Sequence, residues 1–323
     1  MIINYLILAH TNPLQVRKLI AALNHTNSYF YVHVDLKAEI APFKDALKDF
    51  RNLYILPEHQ RETCNWGGMG IVRATFTMLK LVEESRKNGY AVLLSGQDYP
   101  VKSSDYINSY FQSNPGKDFI SWFPLPSNRW VRGGMDRLNH YKIELSQNKG
   151  DFVQLPSLHS RDFYSFDTLK KLVKVIFRGK TSSLRVLSNK KSFPDYLKPN
   201  GGDTWWALNT ETVSKILEFV QNHSDLIQYM SNSTLPDEIL FQSLVLEINK
   251  DHLDSIHNCL TFVNWSGSRD APSPQTFTPE DLPRLRELSP DFLFARKFDM
   301  QLYPELPDRI ENEVWPAYVK KEV

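Results

Sequence analysis

Two hydrophobic periods alternate along roughly the first hundred residues. Residues 3–9 (INYLILA), 29–34 (YFYVHV), 52–56 (NLYIL) and 90–95 (YAVLLS) are short, nearly unbroken apolar runs, as strands buried on both faces require. Between them, residues 12–25, 38–50 and 70–89 carry apolar side chains three and four apart, the helical spacing. Strand and helix in alternation, joined by short links, predict crossover units and a parallel sheet covered by helices. From about Asp118 to Gly201 the pattern loosens. Residues 118–123 (DFISWF) read as a strand and residues 166–177 (FDTLKKLVKVIF) as a basic amphipathic helix. Regularity returns with a strand at 202–209 (GDTWWALN), helices at 210–223 and 236–249, and a strand at 260–265 (LTFVNW). A short helix at 278–288 has Thr278 as its cap, and residues 292–298 (FLFARKF) form a late strand or turn. No repeat or low-complexity linker interrupts the chain. One compact α/β domain is expected, with residues of roughly 120–200 as an elaboration on one side.

Composition narrows the function classes. The chain has 323 residues, 41% hydrophobic and 23% charged, with a net charge of +1. That balance lacks the basic signature of nucleic-acid binders, so no nucleic-acid partner is expected. Cys64 and Cys259 stand far apart without a CxxC pair, which argues against a disulfide framework and for a reducing compartment. No apolar run reaches the roughly 18 residues of a membrane span. The opening MIINYLILAHTNP has no basic leader region and no small-residue cleavage site, so it reads as a first strand.

Candidate chemistry sits at the strand ends. His10 follows the first strand, Asp35 the second, ETCNWGG (62–68) the third, and SGQDYP (95–100) closes the fourth. Ligands of open parallel sheets bind beyond those carboxyl ends, so four polar ends together favour a ligand site over unrelated loops. Gly67, Gly68 and Gly70 precede a helix whose free N–H groups suit an anion. The dinucleotide motif GxGxxG, the phosphate loop and the GxSxG elbow do not occur. Histidines lack zinc spacing, and His33 reads as a strand residue beside the sheet. There is no Asp-x-Asp, the motif on which many nucleotide-sugar transferases hold a metal, so a leaving diphosphate would need another counter-charge. Arg296 and Lys297 are the candidate clamp; the alternative is an ordinary surface pair. In LPDEILFQSLV (235–245), Asp237 and Glu238 precede an apolar helical pattern. Acidic groups favour a helix N-terminus by roughly 0.3–1 kcal/mol, and Pro236 fits a first turn. Proton acceptance from a substrate is the competing role, and the local pattern does not choose.

The segments YLILAH, FYVHVD, NWGGMGIVRA, LLSGQDYP, GGDTWWALN, LPDE, NWSGS and LFARKFD occur in an order that resembles glycosyltransferase family 14. That family holds the core-2/I-branching β-1,6-N-acetylglucosaminyltransferases and peptide O-xylosyltransferases. The similarity runs from about Asn4 to Asp299; each motif is weak alone, but the ordered set is specific. The resemblance implies a GT-A-type α/β fold with a mainly parallel central sheet flanked by helices. It implies a single domain over 1–323: a nucleotide-binding half (1–117), an acceptor-side elaboration (118–200), a catalytic half (201–300) and a C-terminal tail (301–323). It also implies inverting transfer of N-acetylglucosamine or xylose from a UDP-sugar to a hydroxyl of a glycan or glycoconjugate, with no metal and no cofactor. By matching position, Ala9, His10 and Asp35 would meet the uridine, and Cys64, Asn65 and Trp66 would line the same pocket. Thr204 and Trp205 would lie along the donor sugar, although the xylosyltransferase pattern has an acidic residue at Thr204. Arg296 and Lys297 would hold the diphosphate. Glu238 would be the catalytic base, with Asp237 left to the helix. Arg129 and Trp130, with Arg132, match an acceptor-side segment, and Trp265 matches an acceptor-contacting aromatic or a packed one. Animal members carry an N-terminal membrane anchor and several cysteines. Their lack here implies a soluble, bacterial-type enzyme of the cytoplasm.

Two alternatives complete the picture. Residues 168–194 hold eight basic side chains and no acidic one, interleaved with Leu169, Leu172, Val173, Val175, Ile176 and Phe177. They read as a solvated basic face, as a peripheral contact with an anionic membrane at its inner face, or as a site for an acidic or lipid-linked acceptor. The second alternative is a carbohydrate- or nucleotide-binding protein that kept the fold and lost catalysis. Glu238, Arg296 and Lys297 together argue against it.

Overall fold

The computed structural model describes residues 1–265 and 274–319. The apolar runs become β1 (Ile2–Ala9), β2 (Ser28–Val34), β3 (Leu53–Ile55) and β4 (Gly89–Ser95), separated by α1 (Pro13–Leu23), α2 (Ala41–Leu47) and α3 (Gly70–Ser85). Then come β5 (Asp98–Pro100), α4 (Ser104–Gln112), β6 (Asp118–Ile120), β7 (Phe123–Pro124), α5 (Met135–Asn139), β8 (His140–Glu144), β9 (Phe152–Pro156) and α6 (Phe166–Phe177). The rest is β10 (Asn200–Gly201), β11 (Trp206–Asn209), α7 (Thr210–Asn222), α8 (Ser224–Met230), α9 (Leu240–Ile248), β12 (Ile256–His257), β13 (Thr261–Val263), α10 (Leu282–Arg286), β14 (Phe294–Arg296), α11 (Leu306–Arg309) and α12 (Pro316–Val319).

The central sheet runs β12-β6-β11-β4-β1-β2-β3. β1 to β4 pair in parallel, β12 is parallel to β6, and β11 lies antiparallel between β4 and β6. This is the mainly parallel α/β sheet that the sequence predicts. Its strands are mainly apolar because both faces are covered. Ile3, Tyr5, Ile7 and Ala9 of β1 face one cluster with Val16, Leu19 and Ile20 of α1. Leu6 and Leu8 face the other with Val72 and Leu79 of α3 and Leu244 of α9. β2 and β4 lie on opposite sides of β1, so the strand order reverses there, and a crevice opens at the carboxyl ends. A small sheet, β13-β14-β5, stands beside it and sets Arg296 opposite Asp98. The β8–β9 hairpin and α6 pack around a third cluster, with Ile143, Leu155 and Val175 at its centre. Among the described residues no helix is long and apolar enough to cross a membrane.

Some elements depart from the expected pattern. The strand over 202–209 forms only at 206–209. A Cβ on Gly202 would lie 1.9 Å from the Ser121 carbonyl oxygen, and the Gly202 N–H bonds the Glu238 carbonyl at 2.9 Å. This close approach takes residues 202–205 out of the ladder. The helix over 236–249 breaks at Ile239 (φ −129°, ψ −44°), so residues 236–238 form a separate 3₁₀ turn. α4, α8 and the β8–β9 hairpin have no counterpart in the sequence reading.

Gln15 ties the loops at the crevice together. It is buried on α1, where Asn12 accepts its N–H as the cap. Its Nε2 donates to the carbonyls of Gly96 (2.8 Å) and Phe298 (3.1 Å), and the Met300 N–H donates to its Oε1 (3.0 Å). A Gln15→Leu substitution leaves these buried groups without partners. It should lower stability by about 2–4 kcal/mol, read from urea unfolding; an unchanged midpoint would remove Gln15 from this role.

Candidate active site

A cleft of about 490 Å³ lies at the ends of β1, β2 and β4. Of the expected residues, it is lined by Ala9, His10, Asp35, Cys64, Trp66, Trp205, Arg296 and Lys297. Lys37, Ser95, Gln97 and Lys149 line it as well, and the motifs singled out none of these for a role. Asp35 is buried and shapes the wall: its Oδ1 accepts the Lys37 N–H at 2.8 Å and its Oδ2 the Cys64 N–H at 3.1 Å. His33 accepts the Glu62 N–H at 2.8 Å through Nε2, and burial pushes its pKa down to about 4, so it is a neutral structural acceptor. The Cys64 thiol is pushed up to about 12 by burial, with Asp35 and Glu62 adding, so it stays protonated.

The opposite wall is cationic. Asp98 is fully buried and accepts the Ser95 N–H (2.7 Å) and hydroxyl (3.0 Å). Arg296 Nη1 lies 3.4 Å from Asp98 Oδ1, and its guanidinium stacks 3.9 Å from the Trp205 ring centroid. That Nη1 is buried and turned to the Asp98 carboxylate. Among the described residues Lys297 has no ion pair, and burial, Lys149 and Arg296 hold its amine below the ordinary lysine range. Crowded cations at Lys37, Lys149, Arg296 and Lys297 suit a multiply charged anion.

The carboxylates occupy the other end of residues 202–205. Glu238 pairs with Arg137 at 2.5 Å, and the Arg137 guanidinium stacks 3.6 Å from the Trp130 ring centroid. Asp237 Oδ2 accepts the Thr204 hydroxyl at 2.8 Å, while its Oδ1 is buried without a partner. Gly202 bonds Glu238, and Trp205 stacks on Arg296. The three-residue span between them reaches at most about 11 Å. The helix-start argument favours an ionised Glu238, and the surroundings in the structure oppose that preference. Glu238 precedes α9, and burial, with Asp237 adding, pushes its pKa up to about 7 against the pull of Arg137.

Other expected residues lie elsewhere. Asn65 does not line the cleft: its amide donates to Glu144 at 2.7 Å and accepts from Lys37 at 3.1 Å. Thr204 faces Asp237. Arg129 stacks on Phe123, and Trp130 lies under Arg137, edge-on to Phe123. Trp265 is 60% exposed, which excludes the packed role. Residues 266–268 of NWSGS lie outside the described residues. Arg132 lines a separate cavity of about 690 Å³ beyond α5, together with His140, Lys171 and Lys191. Sequence reasoning passed over Arg137, because it sits where the pattern is loosest and no motif marks it.

Two neighbouring cations should behave differently on substitution. Arg296→Met strands a buried carboxylate and should cost about 3–5 kcal/mol of stability. Lys297→Met breaks no pair and should leave the unfolding midpoint unchanged. Equal effects in denaturant melts would contradict the division of labour.

Residues 3–286 match the Core-2/I-Branching enzyme family, a stretch that includes Glu238 and stops short of Arg296 and Lys297. A xylosyltransferase of Ciona intestinalis is 22% identical over 97% of the chain, xylosyltransferase 2 of Mus musculus 22% over 98%, and xylosyltransferase oxt of Drosophila melanogaster 23% over 95%. The chain spans about a third of the length of these relatives, 34%, 34% and 32%. The apo structure of mouse xyloside xylosyltransferase 1 superposes with a TM-score of 0.35 and 13% identity, over 82% of this chain and 89% of that one, a likeness too slight to inform the site. Matched across most of its length, the chain belongs to the core-2/I-branching enzyme family of glycosyltransferases.

Proposed function

We propose that the chain transfers a sugar, N-acetylglucosamine or xylose, from a UDP-sugar to a hydroxyl of a glycan or glycoconjugate, with inversion and with Glu238 as general base. One observation carries this reading. A partly buried carboxylate with a pKa near 7 and a cluster of cations stand at opposite ends of one short segment. The family membership and the xylosyltransferase relatives support glycosyl transfer.

In a single displacement, the acceptor oxygen bonds the anomeric carbon while the bond to the UDP oxygen breaks on the opposite face. The acceptor proton passes to Glu238 as the new bond forms. A carboxylate in this role contributes on the order of 10²–10⁴-fold. The departing diphosphate gains negative charge, and Arg296 and Lys297 stabilise it where a metal would otherwise act. Arg137 is a positioning residue: its Nη1 contact and its stack on Trp130 hold the carboxylate. The cleft loops, with Asp35, Cys64 and Trp66, take the uridine.

Three outcomes test this. Glu238→Gln should bind UDP with unchanged affinity by calorimetry yet lose roughly 100-fold or more in turnover; full turnover would exclude it as the base. The rate should fall as pH drops through about 7, because the raised pKa protonates Glu238 there. Arg137 favours the charged form, so Arg137→Met should move that acidic limb to higher pH; a stationary limb would make Arg137 merely structural. EDTA should leave activity intact, and rescue by Mn²⁺ alone would point to a metal-dependent mechanism.

A further inference from the structure

We propose that α6 is an attachment face for an anionic lipid surface. Its N-terminus is built by Ser165, which accepts the Thr168 N–H at 3.2 Å. Only Thr168 and Val175 of the helix are buried, turned toward the β8–β9 hairpin. At 100° per residue, Phe166, Leu169, Val173, Ile176 and Phe177 share an arc of about 100° away from that buried side. An amphipathic helix normally turns such a stripe inward. Here it points outward: Phe177 is 86% exposed, Phe166 71%, Leu169 55% and Ile176 54%. An apolar stripe of this extent on a surface marks an interaction site.

Charge selects the occupant. Residues 168–194 contain eight basic and no acidic side chains. Lys170 and Lys174 border the stripe, with Lys170 Nζ 4.6 Å from the Phe166 ring centroid. Lys180, Arg185 and Lys190 follow, all exposed. Asp167 pairs with Lys171 at 2.7 Å, and Asp151 lies 3.8 Å from Lys174 and 3.7 Å from Arg178, whereas among the described residues Lys170, Lys180, Arg185 and Lys190 are in no ion pair. A second copy docked on this face would bring the same positive charges against each other. A basic helix with large apolar side chains lies in the headgroup region of anionic bilayers, its apolar arc in the acyl boundary.

The test is independent of transfer activity. Wild-type protein should co-sediment with vesicles containing phosphatidylglycerol and not with pure phosphatidylcholine, and high salt should release it. Phe166→Ser with Phe177→Ser should abolish binding. Lys170→Glu with Lys180→Glu should weaken it about tenfold or more. Both variants should keep the wild-type melting temperature and transfer rate on a water-soluble acceptor. No binding to anionic vesicles, or equal binding by the serine variant, overturns the proposal. So does a lipid-free dimer in sedimentation velocity that the serine variant dissociates, since the stripe would then belong to a second copy.

Discussion

The fully buried Asp98 requires a cation, and Arg296 supplies it from a strand nearly two hundred residues away. A carboxylate without water is strongly disfavoured unless it is paired and hydrogen-bonded. Ser95 and Arg296 meet that need together and oppose the upward push of burial on Asp98. The pair also fixes β5 against β14, and so brings the late part of the chain to the ends of β1 and β4. Arg296 then carries Trp205 on its face, and Trp205 ends the segment that leaves the Glu238 turn at Gly202. The candidate site therefore hangs on one buried ion pair, with Gln15 as a second tie between the same loops.

At Glu238 two effects compete, and their sizes decide the outcome. A helix N-terminus favours a carboxylate by roughly 0.3–1 kcal/mol. A rise from an ordinary 4.5 to about 7 corresponds to roughly 3 kcal/mol of environment favouring the proton. Burial beside Asp237 prevails, even with Arg137 in contact. The result suits a base: Glu238 is ionised at neutral pH or slightly above, and its conjugate acid is not so weak that the proton transfer lacks driving force.

Much of the fold was legible because the strands leave an unmistakable signal. Apolar runs such as residues 3–9 and 90–95 can be satisfied only by cover on both faces, and the helical spacing between them supplies that cover. The polar residues at the strand ends were legible for the same reason, since a sheet of this kind places them side by side. Arg137, Lys149 and the pairing of Arg296 with Asp98 were not. Each depends on contacts between distant segments, and Arg137 and Lys149 lie in the stretch where periodicity is weakest. The break at Ile239 and the departure of residues 202–205 were hidden as well, because a close backbone approach at Gly202 has no local signature beyond the glycine itself.

The α6 segment shows the same division. Its period and its basic character were present in the sequence, yet a period states only that one face differs from the other. Which face turns to the hairpin depends on the volume left beside Leu155 and Val175. Local pattern was enough for the sheet, the order of its strand ends and the residues gathered there, because side-chain alternation and strand burial are local properties. The tertiary structure alone decided the protonation of Glu238, the pairing of Arg296 and the outward turn of the α6 stripe. Desolvation, ion pairing and exposure are set by neighbours that no local pattern names.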